Sequence, residues 1–295
     1  MNEKYLIVNA DDFGLNTGVN RAIIETFQNG IVTSTTLMVN CPSTKEGVEL
    51  AKQNPQLGVG LHFNLTQGKP MSGKINSLTD QKGFFLKRSQ FEIRLLAGKI
   101  KKEDIIQELN LQWDIFLSLG LKPTHLDSHQ HIHIYPKVFP IVLDFVNKKN
   151  LPLRIPNEKI IFTFKPDLKY FYPSNLIKLY KKIYLNIYAQ RARETAAKTK
   201  CLMNQHFYSV FSYWPAVKTL HNKLYKKIIK ELPAGISELM CHPAHLEQPT
   251  YYSTSITHLS QQEVMILQED TLKKILKECN IQLIHYGNLK EILNG

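Results

Sequence analysis

Residues 4–23 read KYLIVNADDFGLNTGVNRAI, and this stretch sets the first unit of the fold. A short, apolar, β-branched run at 4–10 predicts a buried strand, and a helical pattern follows at 16–30. Two adjacent carboxylates, Asp11 and Asp12, stand between these two elements. Neighbouring like charges repel each other, so folding alone gives no reason to place them together. We therefore expect a positive partner for them, and a metal ion is the simplest one.

The same alternation of strand and helix continues along the chain and predicts a parallel sheet with crossover helices. At 295 residues, a (β/α) barrel and an open doubly wound sheet both fit the pattern. Strands are predicted at 4–10, 33–40, 57–65, within 123–136, at 151–156 and within 235–245, and the segment 281–289 closes the chain. Helices are predicted at 16–30, 43–54, 103–119, 137–150 and 260–280.

The composition is that of an ordinary globular protein with a basic excess. About 43% of the residues are hydrophobic, and the formal net charge is +12, which favours anionic partners. The four cysteines form no C-x-x-C pair, which argues against a disulfide framework or a cysteine zinc site and fits a reducing cytoplasm. The chain start predicts no signal peptide, and no apolar run is long enough to predict a membrane-spanning helix.

The region from 165 to 232 is unusually basic. Residues 165–200 hold nine Lys or Arg and two Asp or Glu, a net charge of +7, and apolar residues recur among them at helical spacing. One interpretation is a solvated helical insertion, at about 157–232, whose apolar stripe packs on a single domain spanning 1–295. The other is a surface for acidic lipid headgroups or a phosphorylated substrate. No motif supports nucleic-acid binding.

Acidic and histidine side chains follow four of the predicted strands. Because the carboxyl ends of parallel strands share one rim, we expect these side chains to converge there. The residues are Asp11 and Asp12 just past the first strand, His62 at the carboxyl end of the third, Asp127 and His129 at the end of the fourth, and His242 at the end of the late strand.

Each of these residues also has a structural interpretation. Asp12 could cap the following helix, although Asn16 or Thr17 already serves as its N-cap. His62 could be an ordinary core histidine. His245 competes with His242 for the same role. Trp214 and Pro215, in SYWPAV, line a sugar-stacking wall or simply pack, and the sequence does not separate these alternatives.

The segment HLDSHQHIHIYP, residues 125–136, is the strongest local signal. In a strand, His125, Asp127 and His129 would face one way. His131 and His133 would continue that face only if the strand continued. Four histidines cannot all bind one ion, so we expect some of them to orient the others.

One carboxylate and two imidazoles form a three-point site with open positions. Such a set suits Zn²⁺ first, and also Fe²⁺, Co²⁺, Ni²⁺ or Mn²⁺, whereas a site for Mg²⁺ alone would more often be all oxygen. The second adjacent carboxylate need not bind the ion and could accept a proton from water.

Taken together, the motifs resemble those of the YdjC-like carbohydrate deacetylases, a family that includes chitooligosaccharide deacetylases and hopanoid-associated relatives. The matching stretches cover most of the chain, from residue 5 to about 244. They are LIVNADDFGLNTGVNRAI, NGIVTSTTLMVN, GVGLHFNLTQGKP, KPTHLDSHQHIH and ELMCHPA.

The resemblance implies a distorted (β/α) barrel with parallel strands and a basic helical insertion. It also implies metal-dependent removal of an acetyl group from an N-acetylated sugar, with one divalent ion, zinc before Mg, Co, Ni, Mn or Fe. The family's metal ligands fall on Asp12, His62 and His129. Its general base falls on Asp11, and its acid or transition-state partner falls on His242.

The long basic segment is more similar to the hopanoid-associated branch than to the shortest chitooligosaccharide enzymes. That likeness favours a phosphorylated or lipid-linked sugar over a small free one. It also favours a cytoplasmic protein with peripheral contact to the anionic inner membrane face through 165–232, and it leaves a homodimer open.

Three other functions share parts of the pattern. A metal-dependent phosphoester hydrolase agrees with the positive charge, but two-metal phosphatases usually need more carboxylates. A non-haem iron oxygenase would use two histidines and one carboxylate, leaving Asp11 without a task. A glycan- or lipid-binding protein without catalysis would need neither the base nor His242.

Overall fold

A long first strand, β1 (Lys4–Phe13), lies at the centre of the parallel sheet in the computed structural model. The structure describes residues 2–158, 161–162, 173–210, 213–214, 221–246 and 258–294. The other strands are β2 (Ser34–Leu37), β3 (Gly58–Phe63), β4 (Leu126–Ser128), β5 (Ile161–Phe162), β6 (His206–Ser209), β7 (Tyr213–Trp214), β8 (Gly235–Cys241) and β9 (Ile281–Ile284). The helices are α1 (Thr17–Gln28), α2 (Thr44–Gln53), α3 (Arg88–Leu96), α4 (Lys102–Ser118), α5 (Phe139–Lys149), α6 (Pro173–Lys198), α7 (Asn222–Lys230), α8 (His258–Leu267), α9 (Asp270–Glu278) and α10 (Leu289–Asn294).

The main sheet is a half-barrel of parallel strands in the order β4-β3-β2-β1-β8-β6. The amino-terminal half of β1 also pairs with β9, whereas its carboxyl-terminal half pairs with β2. Most of β1 is buried, as expected of a parallel strand covered on both faces. The helices surround this sheet, so the predicted distorted (β/α) barrel is confirmed and the open doubly wound sheet is wrong.

A short segment closes the gap between the two ends of the half-barrel. Leu153 forms single parallel bridges with Leu126 on one side and Met203 on the other. The sequence predicts a full strand at 151–156, but only these isolated bridges form. Pro152 and Pro156 lack the N–H groups that a continuous ladder requires, which explains the interruption.

The first helix begins as predicted. Asn16 is its N-cap, and the Asn16 side chain accepts a hydrogen bond of 2.8 Å from the Val19 N–H. The helix predicted at 260–280 is instead two helices, α8 and α9. The Leu267 carbonyl, at the end of α8, accepts a 3.1 Å hydrogen bond from the Ile31 N–H, so the helix ends against the loop before β2.

The basic region contributes both to the barrel and to its outside. Strand β6 pairs with β8 in the main sheet, and helix α6 precedes it. Ala189, Ala192 and Ala196 lie on the inner side of α6 and are almost completely buried. Strands β5 and β7 form a separate parallel pair. Within this region, residues 159–160, 163–172, 211–212 and 215–220 lie outside the described residues.

Two findings concern redox state and membranes. All four cysteines are free. Over the described ranges, no helix combines the length and the apolar character required to span a bilayer.

Gly60, in β3, packs so closely against His125 that we expect no larger residue to fit there without loss of stability. A Cβ at Gly60 would lie 2.8 Å from the His125 carbonyl oxygen and closer still to the His125 ring, which is itself fully buried. We expect Gly60→Ala to lower the free energy of unfolding by about 1–3 kcal/mol, because an overpacked core cannot relax freely. Urea unfolding followed by circular dichroism measures this.

Gly47→Ala is the matched control. Gly47 lies within α2, and a Cβ there would meet its nearest neighbours at an ordinary 3.4 Å. This variant should be neutral or more stable by up to about 1 kcal/mol. Equal stability of the two variants would contradict the close packing of His125 over β3.

Candidate active site

An irregularity in β1 turns two adjacent carboxylates toward one cavity. Neighbouring residues of a regular strand point to opposite faces, which would separate Asp11 from Asp12. The pairing of β1 with β2 shifts register between Ala10 and Phe13, and Asp12 adopts a left-handed φ of 70°. Aspartate tolerates this conformation better than most residues do. Both carboxylates therefore line the same cavity.

Asp12, His62 and His129 come together as a candidate metal group. Their candidate ligand atoms all lie within 4.8 Å of one another. His62 Nε2 lies 3.3 Å, and His129 Nδ1 2.8 Å, from the same oxygen, Asp12 Oδ1. One carboxylate and two imidazoles converging in this way fit a divalent metal of the zinc class with positions left open.

Asp127 orients one of these histidines. Its Oδ1 lies 2.6 Å from His62 Nδ1, which directs the other ring nitrogen toward Asp12. This carboxylate–histidine pair is the usual support behind a metal-binding imidazole. Burial opposes protonation of His62, but Asp127 and Asp12 outweigh it and raise the pKa of His62 to about 10. A metal at this site would therefore compete with a proton.

His129 is positioned by a tight turn. Strand β4 ends at Ser128, and the 3₁₀ segment His129–Ile134 follows at once. Gln130 and His131 both adopt left-handed φ angles of 57°. His129 is therefore outside the strand, and the predicted shared strand face includes only His125 and Asp127. The His129 ring still contacts Asp12.

Asp11 is held by a buried arginine that the sequence analysis did not select. Arg154 donates two hydrogen bonds of 2.7 Å, one to each oxygen of Asp11. Asn9 Nδ2 donates a third, of 2.9 Å. Burial alone raises the pKa of Asp11, but the Arg154 guanidinium outweighs burial and holds that pKa below its usual range. Asp11 is therefore a carboxylate at neutral pH.

The same guanidinium contacts two further buried carboxylates. Its Nη1 lies 2.5 Å from Asp127 Oδ2, and its Nε donates a 2.7 Å hydrogen bond to Glu238 Oε1. Tyr286 donates to the other Glu238 oxygen. Burial raises the pKa of Glu238 to about 7, so this carboxyl is the most readily protonated of the three. Arginine within the apolar run LPLRIP is the one sequence signal that could have identified this residue.

His242 lines the same cavity as the candidate metal group. It follows directly after β8, and its Nε2 is 3.9 Å from Asp11 Oδ2. Its backbone N–H donates a 2.6 Å hydrogen bond to Glu263 Oε2, which fixes the chain at this point. The five predicted site residues thus share one cavity.

The cavity has a volume of about 430 Å³, and two residues of α6, Lys182 and Leu185, line it. The two aspartates and the three histidines already described are part of its lining. The lining also includes Leu15, Gln67, Arg88 and Glu158. This space suits a sugar-sized ligand rather than a bare ion. The Trp214 side chain and Pro215, suggested for a stacking wall, lie outside the described residues.

Comparison with known proteins identifies the family of the chain. The model of the YdjC-like protein family matches residues 5–278. The chain belongs to the YdjC-like family. A carbohydrate deacetylase of Geobacillus stearothermophilus is 34% identical to this YdjC-like chain, over 96% of it and 97% of the relative.

Two further relatives span nearly the whole of the YdjC-like chain. A chitooligosaccharide deacetylase of Serratia marcescens is 34% identical over 97% of this chain and 100% of its own. A solved structure from Enterococcus faecalis, of a protein proposed to cleave cellobiose phosphate, is 26% identical with a TM-score of 0.77. That alignment covers 97% of this chain and 99% of the other.

The other histidines of this YdjC-like chain support the site or lie apart from it. His125 is fully buried and stacks on Tyr286 with ring centroids 3.9 Å apart, and burial lowers its pKa to about 3. His245 Nε2 lies 2.8 Å from Glu25 on another part of the surface. His245 is therefore not among the residues that line the cavity, whereas His242 is.

Two histidines beyond the turn differ in what they contact. His133 Nδ1 pairs with the Ser128 hydroxyl, and its Nε2 donates to the Arg154 carbonyl oxygen at 2.9 Å. Burial lowers the pKa of His133 to about 4, so this neutral ring fixes the segment that carries Arg154. His131 lines the cavity, and burial together with Arg154 lowers its pKa as well.

The buried cation predicts a strong, pH-dependent loss of stability. Arg154→Met leaves Asp11, Asp127 and Glu238 buried without their counter-charge, so the free energy of unfolding should fall by about 3–5 kcal/mol at pH 7. Without the cation the folded-state pKa values of these carboxyls rise above their unfolded values. The loss should therefore shrink as the pH falls toward about 4, where these carboxyls are largely protonated in the folded variant and about half protonated in the unfolded chain.

Urea unfolding of the metal-free protein across this pH range measures the effect. Arg191→Met, at an exposed position of α6, is the control and should change stability by no more than about 0.5 kcal/mol. A loss in Arg154→Met that stays constant with pH would contradict the charge-balance explanation.

Proposed function

We propose that this chain is a carbohydrate N-deacetylase that releases acetate from an N-acetylated sugar. One observation carries the proposal: Asp12, His62 and His129 converge on one side of a cavity, with a separate carboxylate, Asp11, beside them. The names of the full-length relatives agree with it.

Asp12, His62 and His129 would hold one divalent metal, with zinc the first choice for this donor set. When bound there, the metal would polarise the acetamide carbonyl oxygen and lower the pKa of water. The contact from Asp127 keeps the Nε2 of His62 turned toward Asp12. The identity of the native metal, among Zn, Mg, Co, Ni, Mn and Fe, remains a prediction.

Asp11 and His242 would share the proton transfers. Asp11 stays ionised because Arg154 neutralises its surroundings, so it can accept a proton from the attacking water. The water oxygen bonds to the carbonyl carbon, and the carbon–nitrogen bond then breaks. A protonated His242 gives its proton to the departing amine. The products are acetate and the free amino sugar.

Two substitutions separate catalysis from metal binding. Asp11→Asn should reduce the rate of acetate release by about 10²–10⁴-fold, the usual contribution of a general base, while the protein keeps its metal. His129→Ala should lose the metal and the activity together. Elemental analysis of the purified variants, alongside acetate assays, measures both quantities.

His245→Ala is the control, because His245 contacts Glu25 rather than the cavity. It should retain both metal and activity. Near-full activity in Asp11→Asn would show that another group is the base.

A substrate panel tests the reaction and the substrate class together. The metal-loaded protein is incubated with free chitooligosaccharides, their phosphates and a lipid-linked N-acetylhexosamine, and acetate and phosphate are both measured. We expect acetate from at least one of them, and a preference for the phosphorylated or lipid-linked forms. Phosphate without acetate would favour a phosphoester hydrolase. Binding without either product would favour a non-catalytic glycan-binding protein.

Three predictions about partners and location are independent of the proposed reaction. A homodimer, the absence of nucleic-acid binding and a cytoplasmic location at the inner membrane face are predictions from sequence. Sedimentation analysis measures whether the chain is a homodimer. The same measurement is used with the vesicle-binding test of helix α6.

A further inference from the structure

Helix α6 presents large apolar side chains to solvent. Leu176, Ile177, Tyr180, Ile183 and Ile187 are each between 45% and 69% exposed. Spacings of three and four residues place them on one side of the helix over three turns. We refer to this set of five residues as the outer stripe of α6.

The opposite side of α6 already packs on the barrel. Ala189, Ala192 and Ala196 are almost completely buried, and Leu185 packs against the same core. A helix on the surface of a globular protein normally has polar residues on its outer side. Since α6 is attached by its inner side, the apolar residues of the outer stripe are not needed for that attachment.

Basic residues surround the outer stripe. The sequence of α6 holds six Lys or Arg and one Glu, a net charge of +5. Lys181 is exposed beside the stripe, and the exposed residues Arg191 and Lys198 continue the same side toward the carboxyl end of the helix. Apolar residues flanked by Lys and Arg are the pattern of helices that lie in the headgroup region of anionic membranes.

We propose that the outer stripe of α6 binds the surface of an anionic lipid bilayer. The apolar side chains enter the headgroup boundary, and Lys181, Arg191 and Lys198 contact the lipid phosphates. A second copy of the chain is the weaker candidate, because pairing two such helices would bring two net-positive surfaces together. An anionic bilayer, in contrast, offers apolar chains to the outer stripe and negative charge to the basic residues around it.

The same helix borders the candidate active site. Lys182 and Leu185, from the other sides of α6, line the cavity that holds Asp11 and Asp12. A bilayer bound to the outer stripe would therefore lie within one helix diameter of the cavity wall, about 10–12 Å. The corollary, which rests on the proposed function, is that the acetylated sugar is carried on a lipid.

The test is co-sedimentation of the full chain with vesicles. We expect binding to vesicles of phosphatidylglycerol and phosphatidylcholine, little binding to phosphatidylcholine alone, and a loss of binding at high salt. Ile177→Ser/Tyr180→Ser should weaken binding about tenfold or more, since it removes apolar area from the interface. Lys181→Gln/Arg191→Gln should weaken it and reduce its salt dependence.

Matched variants elsewhere on the surface control for non-specific effects. Leu117→Ser/Met265→Ser removes two exposed apolar side chains from α4 and α8, and Lys274→Gln/Lys277→Gln removes two positive charges from α9. Both should bind vesicles like the parent chain. Equal losses in the control and stripe variants would overturn the proposal, because binding would then follow overall charge and hydrophobicity.

Two other results would also overturn it. One is a parent chain that does not bind anionic vesicles. The other is a parent chain that sediments as a dimer while Ile177→Ser/Tyr180→Ser sediments as a monomer, which would assign the stripe to a second copy. Acetate release from the same panel of free, phosphorylated and lipid-linked N-acetylated sugars, measured in parallel without vesicles, reports on the proposed enzyme separately. Failure of either measurement is thus distinguishable from failure of the other.

Discussion

The structure depends on one guanidinium group enclosed by three buried carboxylates. Arg154, Asp11, Asp127 and Glu238 are between 0% and 3% exposed, and only their mutual contacts make such burial of charge tolerable. Arg154 belongs to the segment that bridges the two ends of the half-barrel. The closure of the sheet and the charge balance of the cavity therefore depend on the same short segment of chain.

This arrangement extends outward in two directions from the guanidinium. Through Asp127 it reaches His62, and so fixes the orientation of one candidate metal ligand. Through Asp11 it reaches the proposed proton acceptor, which it keeps charged. Asp12 is outside this network and contacts only the two histidines among the ionisable groups described here. The two adjacent aspartates thus occupy different electrostatic environments, which suits them to different tasks.

The sequence was sufficient for the parts of the site that follow from topology. Asp12, His62 and His242 could be placed near one another because each lies at or just after the carboxyl end of a parallel strand. Arg154 could not, since its partners come from three separate strands, and an arginine between two prolines gives no hint of them. The division of 260–280 into α8 and α9 also depends on a distant contact, from Ile31. Long-range hydrogen bonds and charge pairing are what local patterns do not encode.

The bulge at Asp12 has a consequence for protein engineering. A designer who transplants the aspartate pair onto a regular strand of another barrel would obtain one carboxylate facing the cavity and one facing the surrounding helices. The left-handed residue and the slipped register would have to be copied along with the side chains. A design that transfers this site must therefore reproduce the backbone conformation as well as the two aspartates, because the two residue types alone would not place both carboxylates in the cavity.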